Sequence, residues 1–190
     1  MTSSSTEVVF PLLRKLLFAK RFSRDLLIMP ESVLQHIGFC TSYALFVSER
    51  LNRSGIQVNQ GLLLRRAVLH DFEEAETGDV PRPTKYHSDK SRAALEAFAT
   101  ESARSIFPAP YNDFFSTWES CKDDSIEGVI LRLTDLAAVA FTVDLEFNRL
   151  GNKTANRIRK EVSIYLHEAQ FPRCLDTEIE ALQATLSGEL

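Results

Sequence analysis

From Ile126 to Leu150 the chain carries its longest run of apolar residues at helical spacing, closed by Gly151. Residues recurring every three to four positions form one apolar stripe on a helix, and a stripe this long needs covering by other helices. The remaining segments follow the same period. Leu12, Leu13, Leu16 and Leu17 mark a first helix, started at Ser5 or Thr6. After a bend at Met29-Pro30, Ser32-Val33-Leu34-Gln35 reads as a capping box for a second helix, with Val33, Ile37, Cys40, Ala44 and Val47 inward, running to about Asn52. Asn59 caps a third, whose Leu62, Leu63, Ala67 and Leu69 lead into His70 and Asp71, and which is expected to end at Thr77-Gly78-Asp79. Pro81 and Pro83 are expected to exclude regular helix from the loop that follows.

Ser88 caps a fourth helix to about Ile106, and Phe107-Pro108-Ala109-Pro110 breaks it before a short helix with Phe114, Phe115 and Trp118. Asp123-Asp124-Ser125 opens the long apolar segment, and amphipathic helices around Ile158 to Ala169 and Thr177 to Leu186 complete the chain. No segment reads as a strand. The expectation is an all-α single domain over residues 1–190, its middle helices forming the core.

A hydrophobic content of 44% with 25% charge excludes a disordered chain, and a net charge of -4 argues against binding long nucleic acid while leaving small phosphorylated ligands open. Cys40, Cys121 and Cys174 lack CxxC spacing, so neither a disulfide framework nor a zinc knuckle is expected. Charges interrupt the apolar stretch Val8 to Lys20, and nothing approaches the ~20 apolar residues of a membrane span. The expected setting is cytoplasmic, with no membrane partner.

Asp135 lies inside the long apolar run, one turn from Leu131, Ala138 and Val139. An ionised carboxylate is costly to bury unless paired or bound to a cation, which leaves Arg65, Arg66, Arg132 or a metal ion as partner. His36, between Val33, Phe39 and Cys40 on the inward side of the second helix, would by itself be a hydrogen-bonded core residue. His70 and Asp71 change both readings, because imidazole and carboxylate are the ligands of catalytic divalent metals. His36, His70, Asp71 and Asp135 offer two nitrogens and two oxygens, suited to manganese, iron, cobalt, nickel or zinc more than to calcium. Metal-activated water attacking a phosphate ester is the natural reaction of such a site. Glu74, one turn beyond His70, is expected to act as general base or hold the attacking water, whereas Glu73 and Glu76 read as solvated surface charges. Asp79, after Gly78, either handles a proton or caps the turn.

Gln35-His36, then His70-Asp71-x-x-Glu74-x-x-Thr77-Gly78-Asp79-x-Pro81-x-Pro83-x-Lys85-Tyr86, then Thr134-Asp135, resembles the HD-domain phosphohydrolases, specifically their YfbR-like 5'-deoxynucleotidase branch. The resemblance covers about Arg21 to Lys153 and implies an all-α HD fold with a core over about 21–153 and flanking terminal helices. It implies one divalent ion held by His36, His70, Asp71 and Asp135, Glu74 beside the nucleophilic water, a homodimer, and hydrolysis of deoxynucleoside 5'-monophosphates to deoxynucleoside and phosphate. Relatives that remove triphosphate from deoxynucleoside triphosphates supply a second reading, and a non-catalytic nucleotide-binding regulator on the same scaffold a third. An Arg-Trp pair in the family contacts phosphate and sugar, and Arg21-Phe22 stands at the corresponding distance before His36. Arg21 is thereby implied to orient phosphate, and Phe22 to keep an aromatic surface without the indole donor. Asp79, Val80, Pro81 and Arg82 match the loop that closes over the nucleotide, and Lys85 a position that would help hold an anionic substrate. Gln35, where many members carry glutamate, is read as the capping-box partner.

Overall fold

The structure is a computed structural model that describes residues 4–85, 87–107 and 111–189; Tyr86, the Pro108-Ala109-Pro110 break and the side chain of Arg82 lie outside the described residues. Ten α-helical segments follow one another among them: α1 Ser5–Phe18, α2 Val33–Arg53, α3 Gln60–Leu69, α4 Glu74–Thr77, α5 Arg82–Lys85, α6 Asp89–Ile106, α7 Asn112–Glu119, α8 Ile126–Val143, α9 Asn156–Glu168 and α10 Asp176–Ser187. The only β pairing among the described residues is an isolated bridge between Lys20 and Ser32. The expected caps set the starts. Ser32 Oγ accepts from Gln35 N at 3.2 Å while Gln35 Oε1 accepts from Ser32 N at 2.9 Å, so Gln35 has the capping role read from sequence. Asn59, Ser88 and Ser125 cap α3, α6 and α8 by a single bond each, their side-chain oxygens accepting from Leu62 N, Ser91 N and Gly128 N.

Three expectations about elements need correction. The third helix does not run through the His-Asp pair: α3 stops at Leu69, and the amides of Phe72, Glu74, Ala75 and Glu76 reach back three residues instead of four. This tighter winding gives about three residues per turn and separates α4 from α3. The proline loop does contain a helical turn, α5, because Pro83 sits in a first turn where its missing amide would have no partner, and Pro81 O accepts from Thr84 N and Lys85 N. The long apolar segment is not one α-helix to Leu150: α8 gives way to a π-helix over Asp144–Arg149.

The centre is built where α8 lies against α2 and α3. Ala44, Val47 and Leu51 of α2 and Leu63 and Ala67 of α3 bury their side chains with Ile130, Leu131, Leu133, Ala137 and Ala140 of α8. Leu166, Leu182 and Leu186 of α9 and α10 close the far side. A second cluster under α1, with Leu12, Leu16, Val33, Ile37, Leu69 and Phe72, packs beside the His-Asp turn. Burial at ~25 cal/mol per Å2 makes these contacts the main support for the rows of polar side chains between them.

Gly128, on the first turn of α8, carries the incoming loop. A Cβ there would stand 2.6 Å from Asp123 Oδ1 and 2.8 Å from Asp123 N, and closer still to the Asp123 carbonyl oxygen. Backbone cannot yield as a flexible side chain does, so Gly128→Ala is expected to destabilise the fold by about 1–3 kcal/mol. A lowered denaturant midpoint with an unchanged m-value would be its signature.

Candidate metal centre

Inward positions of α2 and α8 and the tight turn after α3 bring His36, His70, Asp71 and Asp135 together. His36 Nε2 lies 3.2 Å from Asp71 Oδ2 and 3.2 Å from Asp135 Oδ1, and His70 Nε2 lies 3.1 Å from Asp71 Oδ2 and 3.3 Å from His36 Nε2. Ligand atoms bonded at ~2.0–2.2 Å to one ion stand about 3 Å apart, so these separations match a shared cation. Both imidazoles are buried.

Proton accounting defines which atoms face the site. His70 Nδ1 lies 2.8 Å from Ala67 O, which can only accept, so Nδ1 carries a proton and turns Nε2 toward the Asp71 carboxylate. At 3.1 Å that contact is favourable when Nε2 is itself protonated or when a metal ion lies between the two atoms. Burial opposes charge on both imidazoles, and Arg21 opposes it on His36, yet Asp135 and Asp71 outweigh these and raise both pKa values. Burial likewise works against ionised Asp71 and Asp135, but His70 and Lys122 prevail and hold both carboxyls well below their ordinary value. Without a metal the two imidazoles hold protons against the carboxylates, and once those protons leave the same donor set can hold a divalent metal.

Around it the remaining side chains are placed as follows. Arg21 Nη1 approaches His36 Nδ1 to 2.5 Å and Glu31 Oε2 to 3.2 Å, and the Arg21 guanidinium lies 5.0 Å from the Phe22 ring. Asp79 Oδ2 accepts from Phe22 N at 3.0 Å; Phe22 has φ 54, the only positive value of a non-glycine residue described. Asp79 thus steadies a conformation that costs an aromatic residue energy. Gly78, with φ 66, turns the chain so that Asp79 comes back to this spot. Glu74 Oε2 is buried without a hydrogen-bond partner, and burial, Asp71, Asp79 and Glu73 together push its carboxyl well above the ordinary range. Burial also raises Asp79, against the pull of Arg21. Val80 and Pro81 are half-buried beside this turn, whereas Lys85 is exposed.

Glu73 is not the solvated charge expected from sequence. Its Oε2 accepts from Trp118 Nε1 at 2.6 Å, and burial with the neighbouring Asp71 pushes its pKa up to about 7. Glu76 is exposed, paired with Lys15 at 2.5 Å. The arginines considered for Asp135 are engaged elsewhere: Arg65 with Asp113, Arg66 with Asp123, and Arg132 with Asp124 and the carbonyls of Lys122 and Asp123.

Asp135 Oδ2 instead takes Lys122 Nζ at 2.6 Å, a partner the sequence reading missed. Nothing in a lone lysine before Asp123-Asp124-Ser125 signals that contact; it arises because Arg132 and Gly128 fold the loop back on α8. Cys40 was read only as an inward apolar position. Its Sγ lies 3.6 Å from His36 Nε2 and 3.6 Å from Thr134 O, within reach of the same cluster. Burial raises its thiol pKa, which keeps it a neutral neighbour of the ligand set.

The sequence pattern of the YfbR-like 5'-deoxynucleotidases matches residues 9–177. The chain is 28% identical over 149 residues to a 5'-deoxynucleotidase of Shewanella oneidensis, 75% of each chain being covered. It is similar in fold to an HD-domain phosphohydrolase from Listeria innocua, with a TM-score of 0.71 at 22% identity over 96% of this chain and 98% of that one. A cyanophage S-2L HD phosphohydrolase, solved bound to dA and one catalytic Zn2+ ion, matches with a TM-score of 0.66 at 14% identity over 98% of this chain and 99% of that one.

Proposed function

The chain belongs to the YfbR-like 5'-deoxynucleotidase family, and we propose that this metal-dependent nucleotide phosphohydrolase converts deoxynucleoside 5'-monophosphates to deoxynucleoside and phosphate. The observation that carries the reading is the convergence of four donor atoms: His36 Nε2 lies 3.2 Å from Asp71 Oδ2 and 3.2 Å from Asp135 Oδ1, and His70 Nε2 lies 3.1 Å from Asp71 Oδ2, with His70 Nδ1 held by Ala67 O. His36, His70, Asp71 and Asp135 would hold one divalent ion. When bound, that ion would act as a Lewis acid toward a phosphoryl oxygen and ease deprotonation of water.

The chain's own groups supply the rest. Arg21, oriented by Glu31, presents a donor-only guanidinium beside His36 for phosphate oxygens. Glu74, unpartnered and raised, is placed to take a proton from attacking water. Asp79 keeps Phe22 in its positive-φ turn, so that the ring lies beside Arg21 where a sugar would be read. Val80, Pro81, Arg82 and Lys85 complete the reading as the loop over the nucleotide. A homodimer belongs to the same proposal: Phe46, 75% exposed on α2, continues an aromatic face of Phe39, Tyr43 and Phe141 that a second copy would cover.

Incubating the protein with dAMP or dATP across manganese, cobalt, nickel, iron and zinc tests the proposal. Inorganic phosphate from dAMP is expected. Triphosphate from dATP instead would shift the assignment to the triphosphohydrolase reading, and release of neither from a nucleotide panel would leave a binding protein.

A further inference from the structure

Of the apolar side chains in residues 23–30, which follow Arg21-Phe22, Leu27 packs against the core and is partly buried. Leu26 is 80% exposed, and Ile28 and Met29 are also exposed. What holds them is a buried charge. Glu146 is fully buried in the π-helix after α8, and both its oxygens point at this segment: Oε1 accepts from Met29 N at 2.6 Å and Oε2 from Ile28 N at 2.9 Å. Asn152 Nδ2 divides its two protons between Glu146 Oε2 at 2.6 Å and Leu26 O at 2.8 Å. Thr154 Oγ1 adds a bond to Leu26 O at 3.0 Å, and Arg157 grips Asp25 with both carboxylate oxygens at 2.6 and 2.8 Å. A carboxylate stripped of water is tolerated only when such donors satisfy it, so position 146 is committed to this segment. An extra residue in the helical turn shifts the register that α8 would otherwise continue, a device that recurs near functional sites.

We propose that Glu146 is a positioning residue, which fixes the far end of the 20–31 segment so that Arg21 and Phe22 are presented to the phosphate and sugar without Glu146 touching either. The near end is held by Asp79 on Phe22 N and by Arg21 N donating to Glu31 O at 2.9 Å; Glu146 is the opposite anchor. This inference rests on the proposed role of Arg21, and the site's ion would be held by residues it leaves alone.

Glu146→Gln keeps the volume but turns one acceptor into a donor facing donors; Asn152→Ala is the milder variant should the first fail to fold. Both are to be compared with the unaltered protein by dAMP kinetics, cobalt affinity and hydrogen exchange. The expected result is a KM for dAMP raised by about 10-fold or more, since small misplacements of a binding group are costly. A smaller loss of kcat, unchanged cobalt affinity, and faster exchange at the Arg21 and Phe22 amides should accompany it. A purely structural role would lower the melting temperature and speed exchange at Ile28 and Met29 alone, leaving KM unchanged, and that outcome overturns the inference. Were the unaltered protein inactive on dAMP, the functional reading would fall, while exchange at Arg21 and Phe22 would still decide whether Glu146 anchors them.

Discussion

Asp135→Ala is expected to abolish both divalent-metal binding and metal-dependent turnover. Losing a group that merely supports a metal ligand costs ~10–100-fold, and Asp135 offers its own oxygen to the site, so the fall should exceed that range. Its Oδ1 stands 3.2 Å from His36 Nε2 and its Oδ2 takes Lys122 Nζ, so one substitution removes a donor atom and frees a lysine beside the remaining three. An unpaired ammonium next to Asp71 would compete with a metal ion for that carboxylate. Asp135→Asn separates the two effects, because it keeps the side chain's shape while removing the charge. Metal content after dialysis, titration with cobalt, and dAMP turnover read the result. Retained cobalt binding and activity in both variants would remove Asp135 from the ligand set.

How much of this centre could be read from sequence depends on which force places each residue. His36 and Asp135 are far apart in the chain, yet both were legible, because the 3.6-residue period that buries Cys40 and Ala44 on α2, and Leu131 and Ala138 on α8, also fixes which neighbours face inward. The capping box of α2 was legible for a local reason: Ser32 and Gln35 satisfy each other within one turn. The break at His70 was not. Apolar spacing continues through Phe72, and the choice between bonds reaching back three or four residues is made by what the turn packs against. Glu73 was misread for the same cause, since its solvation is removed by Trp118, which lies 45 residues along the chain. Lys122 and Glu146 belong to a third class. Their partners lie across loops, and a charge at either position looks identical in sequence to one on a solvated helix face.

Glu74→Gln is expected to lower kcat by ~10²–10⁴-fold, the usual contribution of a general base, while cobalt affinity changes little. Glutamine preserves the volume and cannot accept a proton from water. The same substitution should make the metal-free protein more stable at neutral pH. Burial and the charges of Asp71, Asp79 and Glu73 raise the Glu74 carboxyl well above its ordinary value of 4.5, so the folded state binds its proton more tightly than the unfolded chain does. Where the folded state holds more protons, stability falls as pH rises, here from about 4.5 up to the elevated folded value. Glutamine has no proton to lose, and the variant's melting temperature should diverge upward from that of the unaltered protein across that window. On the proposed role of Glu74, the site would exchange stability for reactivity. Reduced kcat with an unchanged or lower melting temperature would instead mean that Glu74 supports the turn carrying His70 and Asp71, and cobalt affinity should then fall with it.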